Sequence, residues 1–169
     1  MYVINRKEVN KMTVKERAIY FDLDGTLADL YGVENWLEYL ETFRTTPYAK
    51  AKPLLDMRTL ARYLNELHSY GYTIGIVSWL SKTGTREYNE RVTITKKVWL
   101  KYRLKSVVFD EIHIVNYGTP KHEVVEKPKG ILFDDELKNR TDWKGQAFNV
   151  DNILGILHEI LKEERVSRR

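Results

Sequence analysis

The run Ala18-Ile19-Tyr20-Phe21 is apolar along its whole length and stops at once on Asp22-Leu23-Asp24-Gly25-Thr26-Leu27. A short apolar run without polar alternation reads as a strand buried on both faces, which requires a sheet covered on either side. The pattern recurs along the chain. Tyr72-Thr73-Ile74-Gly75-Ile76-Val77 ends at Ser78, and Gly130-Ile131-Leu132-Phe133 ends at Asp134-Asp135. Glu111-Ile112-His113-Ile114-Val115 and Gln146-Ala147-Phe148-Asn149-Val150 read as two further strands. Helical spacing fills the gaps between them. Strands alternating with helices imply an α/β fold, a three-layer Rossmann-like parallel sheet with right-handed crossovers.

After Leu27, one helical face would carry Val33, Trp36, Leu37, Leu40 and Phe43 until Thr45-Thr46-Pro47 ends it. That spacing predicts Trp36 in the core. From about Asp56 to Tyr70, Met57, Leu60, Ala61, Leu64 and Leu67 should point inward, with Gly71 as the stop. Arg86 to Tyr102 is expected to be mostly helical with Val98, Trp99 and Tyr102 inward, and a last helix runs from about Asn152 to Glu163. No repeat or long linker divides the chain, and 169 residues suit one domain. Residues 28–54 then read as a small helical cap or lid, and residues 1–17 and 163–169 as peripheral ends.

Composition removes several classes of function. The chain has no cysteine, so disulfides, thiolate metal sites and cysteine nucleophiles are excluded. No apolar run approaches the roughly 18–20 residues that span a bilayer. Met1 to Arg17 lacks the apolar stretch of a signal peptide, and the absence of cysteine fits a reducing, cytoplasmic setting, which is the expected location. The four histidines show no paired metal-ligand spacing. A net charge of +4 comes partly from Arg6, Lys7, Lys11, Lys15 and Arg17, partly from Arg165, Arg168 and Arg169, and partly from Lys96, Lys97, Lys101, Arg103 and Lys105. Such stretches attract phosphorylated ligands and nucleic acid, although solvated helix faces and frayed ends account for them more simply.

The polar groups gather just after strand ends, where open α/β sheets bind ligands. On an extended strand residues two apart face the same way, so Asp22 and Asp24 can address one ligand. Gly25 allows a sharp turn and close backbone approach to an anion, and Thr26 adds a hydroxyl. A carboxylate can attack phosphorus and form an aspartyl-phosphate, and a second carboxylate beside it is suited to acid–base work. A cation touching both nucleophile and phosphate is also needed, and Lys121, Lys127 and Lys129 are the candidates.

Asp22-Leu23-Asp24-Gly25-Thr26-Leu27 resembles the first motif of the haloacid dehalogenase superfamily, and later motifs follow in order. The resemblance covers about residues 18–155. It implies Asp22 as nucleophile and Asp24 as general acid/base, with the Asp24 carbonyl also on a magnesium ion. Ser78 matches the second motif, whose hydroxyl binds the transferring phosphoryl group. Asp134 and Asp135 match the fourth, as magnesium ligands. Lys121 follows Gly118-Thr119-Pro120, the loop where this superfamily commonly places its lysine.

The layout also resembles the 5′(3′)-deoxyribonucleotidase branch, through Leu27-Ala28-Asp29, the lysine about a dozen residues before the aspartate pair, and the region around Tyr88 and Trp99. That implies a phosphomonoester hydrolase acting on a phosphorylated small molecule, a nucleotide in particular. A polynucleotide end (3′-) phosphatase and a non-catalytic phosphate-binding protein are the alternatives. Tyr31, Trp36, Tyr48 and Trp79 are candidates to stack on a base, Trp79 foremost because it follows Ser78 directly. Lys50, Lys52 and Arg86 are candidate anion contacts that read more simply as surface charges.

Overall fold

The computed structural model describes residues 12–169, so Arg6, Lys7 and Lys11 of the basic N-terminus lie outside the described residues. In chain order the elements are β1 (Ala18–Phe21), β2 (Ala28–Asp29), α1 (Trp36–Glu41), α2 (Thr46–Lys50), β3 (Lys52–Pro53), α3 (Met57–Ser69) and β4 (Thr73–Trp79). They continue with α4 (Arg86–Arg103), β5 (Glu111–Val115), α5 (Lys121–Val124), β6 (Ile131–Phe133), α6 (Leu137–Asp142), β7 (Ala147–Phe148) and α7 (Ile153–Ser167).

Five strands form one parallel sheet in the order β5-β4-β1-β6-β7, as the alternation of strands and helices predicts. The central strand β1 is fully buried, and its side chains alternate between two clusters. Ile19 and Phe21 join Ile74, Ile76, Ile131 and Phe133 under α3 and α7, while Ala18 and Tyr20 face Val77, Leu132 and Trp143. Each fully buried aliphatic side chain in such a core contributes about 1.5–3 kcal/mol.

Local signals set the helix ends. The Asp56 carboxylate accepts the Thr59 N–H at 2.7 Å and starts α3, which buries Leu60, Leu64 and Leu67 and runs out at Gly71, whose φ of 85° is left-handed. Thr85 caps α4 by accepting the Tyr88 N–H at 3.2 Å. Strand β7 is shorter than expected because the Asn149 side chain accepts the Val150 N–H, opening a 3-10 turn over Val150–Asn152. Residues 163–167 belong to α7, where Glu164 is buried against the Tyr72 hydroxyl, so this end is not peripheral.

Two expectations fail. The helix after Leu27 shrinks to the six residues of α1, none of them buried. Left-handed residues, Asn35 with φ 58° and Phe43 with φ 54°, flank it and break the apparent spacing. Leu37 and Phe43 are exposed, and Trp36 leaves the core to pack edge-on against Tyr31 at 5.0 Å. On α4, Val98 and Tyr102 also point outward, and the buried stripe is Tyr88, Val92, Lys96, Trp99 and Leu100. A lysine on that stripe hides its period.

Residues 28–54 form an insert closed at its base by antiparallel pairing of β2 with β3. Leu30 and Tyr48 tie it to Tyr88 and Val92 of α4, and the Tyr88 hydroxyl donates to the Arg44 carbonyl at 3.1 Å. Among the described residues no helix is long and apolar enough to cross a membrane.

Candidate active site

Strand order brings distant residues together. Because β4, β1 and β6 are neighbours in register, the residues that follow them emerge side by side at one sheet edge. Asp22 donates its backbone N–H to the Phe133 carbonyl at 2.9 Å, which sets it beside Asp134. Gly25 then turns the chain with φ 75°, and a Cβ there would sit 2.5 Å from an Asp135 carboxylate oxygen and 3.0 Å from the Tyr31 ring. Only glycine serves both the turn and the close approach.

Lys121 reaches these strand ends from the connection between β5 and β6. It opens the short helix α5 after β5 and is 3% exposed. Its ammonium donates to Asp22 Oδ1 at 2.8 Å and to Asp134 Oδ2 at 2.6 Å. Lys127 instead reaches the Arg17 carbonyl and Lys129 pairs with Glu16 on the surface, so neither approaches Asp22. Trp79 braces the Lys121 loop. Its indole N–H donates to the Thr119 carbonyl at 2.8 Å, its ring packs on Tyr117, and the Lys121 ammonium lies 5.4 Å from the ring centroid.

One oxygen each of Asp22, Asp134 and Asp135 lies within 4.8 Å of the others. Burial, then the Asp22 charge, pushes Asp134 up to about 6 despite Lys121. Burial, then Asp22 and Asp134, pushes Asp135 up to about 7. Burial alone would pull the Lys121 ammonium down, but the two carboxylates hold it above its ordinary value. Three carboxylates face one ammonium, so the cluster lacks positive charge and suits a hard cation. The Asp24 side chain stands outside it, leaving only its backbone carbonyl for the metal role that resemblance implies. Its carboxylate pairs with Lys96 at 2.7 Å, and burial raises its pKa although Lys96 opposes that.

These groups floor a cavity of about 450 Å³. Asp22, Asp24, Ser78, Lys121 and Asp135 line its base, and Tyr31, Trp36, Tyr48, Trp79 and Tyr117 its sides. Thr26 does not line it. Its buried hydroxyl donates to Asp135 Oδ1 at 3.3 Å, so it holds a carboxylate rather than facing a ligand. Lys50 and Arg86 also stay outside; Arg86 pairs with Glu90 in solvent.

Sequence reasoning missed three residues. Asn139 donates to both Asp134 oxygens at 3.3 and 3.1 Å, and Arg140 donates to the Asp134 and Asp135 carbonyls at 2.8 and 2.7 Å. Polar residues one helical turn after an acidic pair were the available signal. The third, Lys96, is 1% exposed, and its only signal was an interval of four from Val92 and three to Trp99. No protein-family model matches the chain, and no curated protein matches it.

Proposed function

We propose that this chain is a magnesium-dependent phosphomonoester hydrolase of the haloacid dehalogenase type, with Asp22 as nucleophile. The observation that carries this reading is the buried Lys121 ammonium bridging Asp22 and Asp134 at the base of the cavity. A structural ion pair needs no second carboxylate and no opening to solvent. Lys121 commits two N–H groups to carboxylates and leaves the third for a phosphate oxygen.

Asp22, Asp134 and Asp135 fit a magnesium ion, since the three carboxylates crowd together and the raised pKa values of Asp134 and Asp135 express a deficit of positive charge. When bound, the ion supplies charge neutralisation between the attacking carboxylate and the phosphate. The Asp22 carboxylate forms a bond to phosphorus as the bond from phosphorus to the leaving oxygen breaks. Asp24 gives that oxygen its proton, then takes one from the water that hydrolyses the aspartyl-phosphate and restores Asp22. Ser78 Oγ accepts from Lys96 at 3.0 Å, so its own hydroxyl proton is available to the phosphoryl oxygens.

Residues 28–54 act as a small lid over the leaving group. Tyr31, Trp36, Tyr48 and Trp79 give its pocket aromatic walls, which favour a nucleoside monophosphate over an aliphatic phosphate. A second reading, a phosphatase of polynucleotide ends, is favoured by one feature. Lys52, Arg58, Lys101, Arg103 and Lys105 line an open groove beside exposed Tyr102, and none of these five forms an ion pair among the described residues. Lys52 pairs in register with Asp29, at the base of the lid.

One panel tests both readings. Mononucleotides and a 3′-phosphorylated oligonucleotide are assayed for phosphate release with magnesium and with excess chelator. Asp22→Asn is expected to lose on the order of 10³-fold or more on every substrate. Undiminished release by that variant would falsify the mechanism. Preference for the oligonucleotide, declining steeply with salt, selects the second reading.

A further inference from the structure

Lys96, at 1% exposed against 3% for Lys121, is the most deeply buried cation among the described residues, and the mechanism above gives it no contact with substrate. Its ammonium has three N–H donors and three short contacts. It donates to Asp24 Oδ2 at 2.7 Å, to Ser78 Oγ at 3.0 Å and to the Trp79 carbonyl at 2.6 Å. The Tyr48 ring covers it, with the nitrogen 5.2 Å from the ring centroid. Every donor is therefore spent on protein oxygen, so Lys96 cannot hold the phosphate as Lys121 can.

A lysine in this position is costly unless something uses it. An ammonium loses several kcal/mol on burial, and hydrophobic neighbours at Val92 and Trp99 show what the same stripe of α4 accepts otherwise. Its partners are not a random set. Asp24 lies on the turn after β1, while Ser78 and Trp79 end β4, so one ammonium ties two strand ends of the site together. It comes from a third element, the helix α4, which the lid also packs against.

We propose that Lys96 is a positioning residue that fixes the Asp24 carboxylate where it must meet the leaving oxygen. This rests on the hydrolase reading above. The Asp24 side chain has two rotatable bonds and lines a cavity, and among the described residues the Lys96 ammonium is what pairs with its carboxylate. With Lys96, one carboxylate oxygen is held by the ammonium and the other is left to carry the proton to the leaving group. The Ser78 hydroxyl accepts from the same nitrogen, which leaves its own proton free for another acceptor.

Leaving-group dependence separates this role from simple structural support. An aryl phosphate such as p-nitrophenyl phosphate expels a stable anion and needs little acid, whereas glycerol phosphate expels an alkoxide and needs a well-placed proton. Lys96→Met, with Lys96→Gln as a second variant, is assayed with magnesium for kcat/KM on both substrates. Each folded variant is expected to lose on the order of 10²-fold on the alkyl phosphate and less than about tenfold on the aryl phosphate. In an Asp24→Asn background the same substitution should cost less than about threefold more, since the acid it positions is gone and only its contact with Ser78 remains. Equal losses on both substrates, or an undiminished cost in that background, overturn the proposal while leaving the hydrolase reading standing. Absence of any Asp22-dependent phosphate release in the parent protein overturns both.

Discussion

The floor and the roof of the cavity are built on different principles. The floor comes from the ends of β1, β4 and β6, where Asp22, Ser78 and Asp134 are each less than one-tenth exposed and held by charged hydrogen bonds. The roof comes from residues 28–54, where α1 buries none of its side chains and Tyr31 and Leu37 stand about half exposed. Each floor side chain has a charged partner, and Asp134 is held by Lys121, Asn139 and the Glu136 N–H together. The roof rests on a few aromatic contacts and can exchange side chains without disturbing the sheet. Under the proposed function, a fixed floor beneath an adaptable cover would let one set of reacting groups serve different leaving groups.

The sharpest way to break this contrast is at Lys121. Lys121→Met leaves Asp22 and Asp134 facing each other without their shared cation. Its kcat/KM should fall on the order of 10²–10³-fold, and a chemical unfolding curve should show a loss of about 3–5 kcal/mol. A variant that kept full stability would mean the floor is not held by charge.

A second measurement sharpens the account of the carboxylates. Asp134 and Asp135 have values raised from 3.8 to about 6 and about 7, so the folded protein keeps protons that the unfolded chain releases. Metal-free stability must then fall as pH rises from about 5 to about 8, because the folded state binds more protons across that window. Magnesium, competing with those protons, should raise the thermal midpoint more at the alkaline end. A midpoint that rose with pH in chelator would contradict the raised values.

The smallest effect is expected in the roof. Trp36→Ala removes an edge-on aromatic contact with Tyr31 at the cavity wall. KM for a nucleoside monophosphate should rise about threefold to tenfold with little change in kcat, and the thermal midpoint should barely move. A large stability loss would restore Trp36 to the core, where helical spacing had predicted it.

Those spacing arguments succeeded for the central strands β1, β4 and β6 and overran only at the edge strand β7. The runs ending at Phe21, Ser78 and Phe133 were legible because a strand buried on both faces must be apolar throughout and must stop where polar groups begin. They failed at residues 33–43, where left-handed Asn35 and Phe43 interrupt the helix and no sheet lies beneath it. On α4 the failure was of another kind. A charged Lys96 occupied a core position, and periodicity alone cannot tell a buried ammonium from a solvated one.

By itself the sequence determined the α/β architecture, the strand-end position of Asp22, Asp24, Ser78, Asp134 and Asp135, and a short list of lysines for the cation beside Asp22. Those follow from local pattern, since an apolar run and its terminating carboxylates are contiguous in the chain. Only the tertiary structure decided among the lysines, moved Thr26 from the cavity to the back of Asp135, and put Lys96 against Asp24. Lys121 lies 99 residues from Asp22, and what brings them together is the order β5-β4-β1-β6-β7. Charge pairing in a buried site depends on which strand ends become neighbours, and that is a property of the packed sheet rather than of any segment in it.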